Sequence, residues 1–161
     1  MRMLICCLSS RMCNAKGCEL LPDVTLIDLS KYRLTKAAET LETAKRDMHA
    51  EDYTPANNRA SYCIFHAMRA VIALDGEDYK KHSPVIARFT MNYLKTEILP
   101  RVYSTLISNA SLIRNRSDYE DFSICSIEDT KKLVEGAEAL LSALSTTLQW
   151  KYPEQITTPI D

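Results

Sequence analysis

Apolar residues recur along most of this chain at steps of three and four, the spacing that lines one face of an α-helix. Leu34, Ala37, Ala38, Leu41, Ala44 and Met48 mark such a face, and predict a first helix over residues 31–51 with Ser30 as its N-cap. The turn Glu51-Asp52-Tyr53-Thr54-Pro55 separates it from a second helix over 55–74. Pro55 suits the first turn of that helix and Gly76 its stop. Residues 60–74 are apolar almost all round, which predicts a central position in a bundle. A third helix is expected from Ser83 (cap) and Pro84 towards Leu94. A fourth is expected from Glu97 or Pro100 to near Arg116, and a fifth from Ser126-Ile127-Glu128-Asp129, a capping-box-like start, through Leu144. No segment shows the alternation of a β-strand, and no internal repeat is present. The pattern predicts an all-α, up-and-down bundle of four to five helices over residues 30–150. Residues 1–29 lack this periodicity and are expected to form a poorly ordered extension, and residues 151–161, with Pro153 and Pro159, a disordered tail.

Composition adds limits rather than a function. The 161 residues suffice for one domain with its own core. Only three glycines are present, which speaks against Gly-rich phosphate loops. The net charge is -1, but unevenly spread: residues 54–117 hold nine basic and four acidic side chains, and residues 118–161 three basic and nine acidic. A basic middle suits a solvated helix surface or a phosphate-bearing partner. Of six cysteines, Cys6, Cys7, Cys13 and Cys18 form no CxxC pair and have no histidine among them, so neither a metal site nor a cofactor is expected. The apolar run Leu4–Leu8 is too short for a signal peptide, and no run approaches a membrane span. The expected setting is the cytoplasm, with reduced thiols.

Two places could carry chemistry. On the second helix Arg59, Tyr62, His66 and Arg69 fall within roughly 80° of one another at 100° per residue. Such a polar stripe must meet hydrogen bonds inside the fold, a second subunit or a ligand. The second place is Ile113-Arg114-Asn115-Arg116-Ser117-Asp118-Tyr119-Glu120-Asp121-Phe122. There Arg114 and Arg116 either complement a helix C-terminus and pair with Asp118 or Asp121, or grip a phosphate. Nucleotide-loop, zinc-protease and serine-hydrolase motifs are absent. Cys63 and His66 lie three apart with no evident third residue to orient them, so a thiol nucleophile is not expected.

The segments Tyr32–Ala37, Asn58–Ala70, Lys81-His82-Ser83 and Arg114–Phe122, taken in this order, resemble a HEPN domain across about residues 30–145. The resemblance implies a helical bundle, usually a homodimer, encoded beside a minimal nucleotidyltransferase as a toxin–antitoxin module. It also implies a metal-independent ribonuclease signature at the dimer cleft: an arginine, four to six residues, then a histidine. The histidine would handle the ribose hydroxyl proton and the arginine would steady the phosphate. Here Arg114 is present, but Tyr119 stands five residues on, and no histidine follows. A tyrosine, with a pKa near 10, is a poor general base at neutral pH. By this resemblance Tyr119 would donate to phosphate or accept a nucleotide from the partner, and His66 would supply the base across the cleft.

The expected function is a HEPN protein that binds a nucleotidyltransferase partner and a nucleotide or RNA phosphate. The expected binding set is Arg114, Arg116, Asp118, Tyr119, Arg59 and Tyr62, and the expected catalytic set Arg114, Tyr119 and His66. The alternatives are a metal-independent endoribonuclease toxin and a structural helical adaptor.

Overall fold

The computed structural model describes residues 24–119 and 126–152. Among them the chain forms five α-helices: α1 (Val24–His49), α2 (Tyr53–Leu74), α3 (His82–Phe89), α4 (Tyr103–Tyr119) and α5 (Ile127–Lys151). A π-helical segment, Thr90–Leu94, continues directly from α3. No strand occurs among the described residues, so the all-α bundle expected from periodicity is the one observed.

Helix α2 is the axis of the core. Fourteen of its side chains are buried, from Ala56 to Leu74, and α1, α3, α4 and α5 all pack against it. Its small residues Ala60, Cys63, Ala67 and Ala70 are fully covered, letting neighbouring backbones approach closely. The inner face of α1 supplies Ile27, Leu34, Ala37, Leu41 and Ala44, and that of α5 supplies Leu133, Val134, Ala137, Leu140, Leu141 and Leu144. Each large apolar side chain so buried contributes about 1.5–3 kcal/mol.

Three boundaries depart from expectation. Helix α1 begins at Val24, so the segment from 24 to 29 belongs to the bundle, while residues 1–23 lie outside the described set. Ser30 is therefore not an N-cap. It is wholly buried on the stripe that joins Ile27 to Leu34, and its hydroxyl has no hydrogen-bond partner among the described residues. Helix α3 is entered two residues early: Lys81, with φ -93° and ψ 149°, holds the cap position, and Ser83 lies inside the first turn. Helix α4 cannot start at Glu97, whose φ of 60° is left-handed, and it begins only at Tyr103.

Other ends follow the local signals. Gly76, at φ 79°, takes the left-handed conformation just past α2, where its N–H donates to the Ala73 carbonyl. Ser126 caps α5: its Oγ accepts from the Asp129 N–H at 3.1 Å. At the far end, Tyr152 is buried, so the packed chain runs past residue 150 before the described residues end.

Polar contacts fix how the helices meet. Arg33 of α1, itself buried, donates to the Arg69 carbonyl at 3.1 Å and to Asp78 Oδ1 at 2.7 Å. Arg69 donates to the same Asp78 oxygen, also at 2.7 Å, so one carboxylate pins the 75–81 loop to α1 and α2. Asn57 Nδ2 donates to Thr130 Oγ1 at 2.9 Å, joining α2 to α5. Tyr93 in the π-helical segment donates to the Val71 carbonyl and lies 3.1 Å from Asp75 Oδ2, which also accepts from Asn92.

Candidate functional site

The polar stripe of α2 meets α3 and α4 in one cluster of rings and cations. The spacing Tyr62-x-x-x-His66 is one helical turn, so both side chains leave the same face. Their rings lie 29° from parallel with centroids 6.3 Å apart. Helix α4 brings the Arg114 guanidinium over the Tyr62 ring at 5.4 Å. A cation over a ring face at this distance is attracted by the ring quadrupole, by roughly 0.5–1 kcal/mol where exposed and more where desolvated. Arg114 and Tyr62, both of the expected binding set, are thus neighbours within one chain, and His66 of the expected catalytic set lies beside Tyr62.

The return of the chain through the 75–81 loop adds a residue that the sequence reading did not place here. His82, at the start of α3, stacks on Phe65 with centroids 3.7 Å apart and planes within 9°, and meets Tyr62 edge-on at 6.2 Å. Its presence in the Lys81-His82-Ser83 segment was a signal, but spacing along the chain did not connect it to α2. Phe65, also missed, is buried between His82 and the Arg69 guanidinium, which lies 5.5 Å from its ring centroid.

Between α2, α3 and α4 lies a shallow pocket with Ser61, Phe65, His82, Ser111 and Arg114 in its wall. Its empty space, about 230 Å3, includes open solvent at the mouth, and Ile64, Met68, Ile86, Ile107 and Ala110 make the rest of its wall apolar.

Electrostatics distinguish the two ends of the cluster. Partial burial holds the His66 imidazole below its ordinary pKa, and Arg69, Lys36 and Arg33 push it further down. His66 is therefore neutral at pH 7 and able to accept a proton. At the other end, Asp78 would be raised by burial alone, but hydrogen bonds from Arg69 and Arg33 hold it below its ordinary value. One carboxylate facing two guanidiniums leaves a surplus of positive charge beside His66.

The remaining expected residues fall differently. Arg59 is on α2 one turn before Tyr62 and is exposed. Arg116, Asp118 and Tyr119 belong to the last turns of α4 by backbone, and their side chains lie outside the described set. Residues 120–125, among them Asp121 and Phe122, lie outside it too. Among the described residues no group of three histidine, cysteine or acidic side chains is placed to hold a metal ion. No described helix is long and apolar enough to cross a membrane.

Comparison with known proteins gives this arrangement a context. A protein-family model described as "HEPN domain" matches residues 30–147. A Thermotoga maritima protein named "UPF0332 protein" is 26% identical over 119 residues, which span 74% of this chain and 90% of the relative. A Pyrococcus horikoshii protein of the same UPF0332 designation is 32% identical over 122 residues, 75% of each chain. A Methanocaldococcus jannaschii protein that carries the name "Putative toxin" is 30% identical over 83 residues, 52% of this chain and 62% of its own length.

Proposed function

This chain belongs to the HEPN domain family, and from that premise we propose that it is a toxin-type HEPN protein that binds the phosphate of a nucleotide or RNA at the Arg114 corner. The reading rests on one observation: the Arg114 guanidinium, in the wall of a shallow pocket, lies over Tyr62, whose ring neighbours a neutral His66. The toxin name of a relative supports the toxin-type assignment. In the proposed assembly two copies pair, and a minimal nucleotidyltransferase acts as the partner, with Arg116, Asp118 and Tyr119 on the same end of α4 as its contact or target.

Fluorescence anisotropy with a labelled RNA oligonucleotide tests the binding. Loss of one charge-assisted phosphate contact should weaken it about tenfold or more in Arg114→Ala. Equal affinities for wild type and variant overturn the reading. Co-expression with the adjacent gene tests the partner: failure to co-purify with a nucleotidyltransferase removes that part alone.

The state of His66 favours a second reading, a metal-independent endoribonuclease in which His66, not Tyr119, is the general base. It predicts RNA cleavage in the presence of a chelator, abolished by His66→Ala and by Arg114→Ala. RNA that stays intact with the wild-type protein refutes it.

A further inference from the structure

Arg33 is only 5% exposed, and a guanidinium buried this far seldom repays its desolvation through one ion pair. Its carboxylate is Asp78, and the same Asp78 oxygen also receives Arg69, each at 2.7 Å. Two cations on one carboxylate add little stability, but they fix where that carboxylate lies. The contacts then close on themselves. From Asp78 they pass to Arg69, and from Arg69 to the Phe65 ring, whose centroid is 5.5 Å from the guanidinium and which stands one turn earlier on α2. From Phe65 they pass to His82, stacked on it at 3.7 Å. His82 comes four residues after Asp78 in the chain, so the circuit ends where it began. The neighbouring acid, Glu77, accepts from Arg88 and ties the same loop to α3.

We propose that Asp78 is a positioning residue for the Arg114 site: it holds Arg69 and the 75–81 loop in place, which seats His82 on Phe65 and fixes the α3 side of the pocket that Arg114 lines. His82 and Ile86 of α3 share that wall with Ser111 and Arg114 of α4. The inference rests on the phosphate reading of Arg114 and adds what shapes its surroundings; Asp78 itself touches no ligand. Charge alone would give Asp78 the opposite effect. A carboxylate repels a phosphate, so its removal would strengthen binding through the freed arginines. Positioning predicts a weaker site after the same change, and the sign separates the two.

Two measurements on the full chain test this, with Asp78→Ala, Asp78→Asn and Asp78→Glu checked for folding by circular dichroism. The chain has three histidines, so proton NMR resolves their imidazole signals, each assigned by its glutamine variant. The His82 signal should lie upfield, because its ring sits on the face of Phe65. Asp78→Ala should move it towards its position in the denatured chain and leave that of His49, at the end of α1, where it was. Asp78→Glu should keep it near the wild-type position. Anisotropy with a labelled RNA oligonucleotide should show binding weakened about threefold or more in Asp78→Ala, the size of a coupling carried through packed neighbours, and rescued in Asp78→Glu. A His82 signal that stays in place overturns the positioning role. So does binding that tightens or stays equal in Asp78→Ala while Arg114→Ala weakens it. If Asp78→Ala does not fold, Asp78→Asn, which keeps the shape and removes the charge, decides by the same two readings. If Arg114→Ala leaves RNA binding unchanged, the phosphate reading has failed, and the His82 signal alone decides what Asp78 holds.

Discussion

Cys63 and Tyr62 are neighbours in sequence with opposite surroundings. One step along α2 turns a side chain by 100°, which takes Tyr62 to the half-open face and Cys63 to the closed centre of the bundle. Burial pushes the Cys63 thiol up to about 12, and the more distant charges of Lys45 and Glu138 act in opposite directions. At neutral pH it is a thiol, not a thiolate, and it reacts slowly. Iodoacetamide treatment followed by peptide mapping should leave Cys63 unmodified in the folded protein and alkylate it after denaturation. Rapid labelling of native Cys63 would contradict the packing around α2. Asp78 illustrates the opposite case, a half-exposed carboxylate held ionised by two arginines because their hydrogen bonds outweigh the cost of its partial burial.

At the level of helices, the readable signals were those completed within a few residues. Ser126 and Asp129 make their cap by themselves, and the sequence showed it. Ser126→Ala should cost about 1 kcal/mol, measured by urea unfolding, with no change in the slope of the transition. A loss near zero would mean that the first turn of α5 frays in the native state. Ser30 and Ser83 carried the same local signal and are not caps. Ser30 sits on the buried stripe of α1, and only the packing of Ile27 beneath it reveals that the helix continues upstream. The cluster around Tyr62 divides the same way. The Tyr62–His66–Arg69 face followed from helical period, and Arg114 from its motif. His82 and Phe65 joined them through the path of the 75–81 loop, a long-range fact with no mark in local spacing. Glu97 misled for a related reason, since a left-handed residue in a turn has no fixed sequence signature unless it is glycine.

For the molecule as a whole, protonation links the cluster to stability. The unfolded chain takes up a proton at His66 near its ordinary value of 6.5, whereas the folded chain resists it, first through burial and then through Arg69, Lys36 and Arg33. The unfolded state therefore binds more protons, and stability present above pH 6.5 is lost as pH falls towards the lower folded value. Asp78 acts in the same direction further down: its contribution is present above its ordinary value of 3.8 and is lost as pH falls through the lowered one. His66→Gln should flatten the fall of Tm as pH drops below about pH 7 while leaving the more acidic limb in place. An unchanged slope in His66→Gln would show that the imidazole titrates freely in the folded protein.

The wider turn at Thr90–Leu94 has a further effect. Each such turn takes up one residue more than an ordinary helical turn would. Removing a single residue from this stretch would wind it as plain helix and leave the chain beyond it in nearly the same direction, because the extra residue is absorbed within the one turn. Within that turn the Tyr93 hydroxyl meets Val71 and Asp75, the contacts that hold the stretch to the end of α2. A relative one residue shorter there would wind a plain helix and still aim its arginine as this chain does, so the stretch between His82 and Tyr103 is where a single-residue deletion is absorbed.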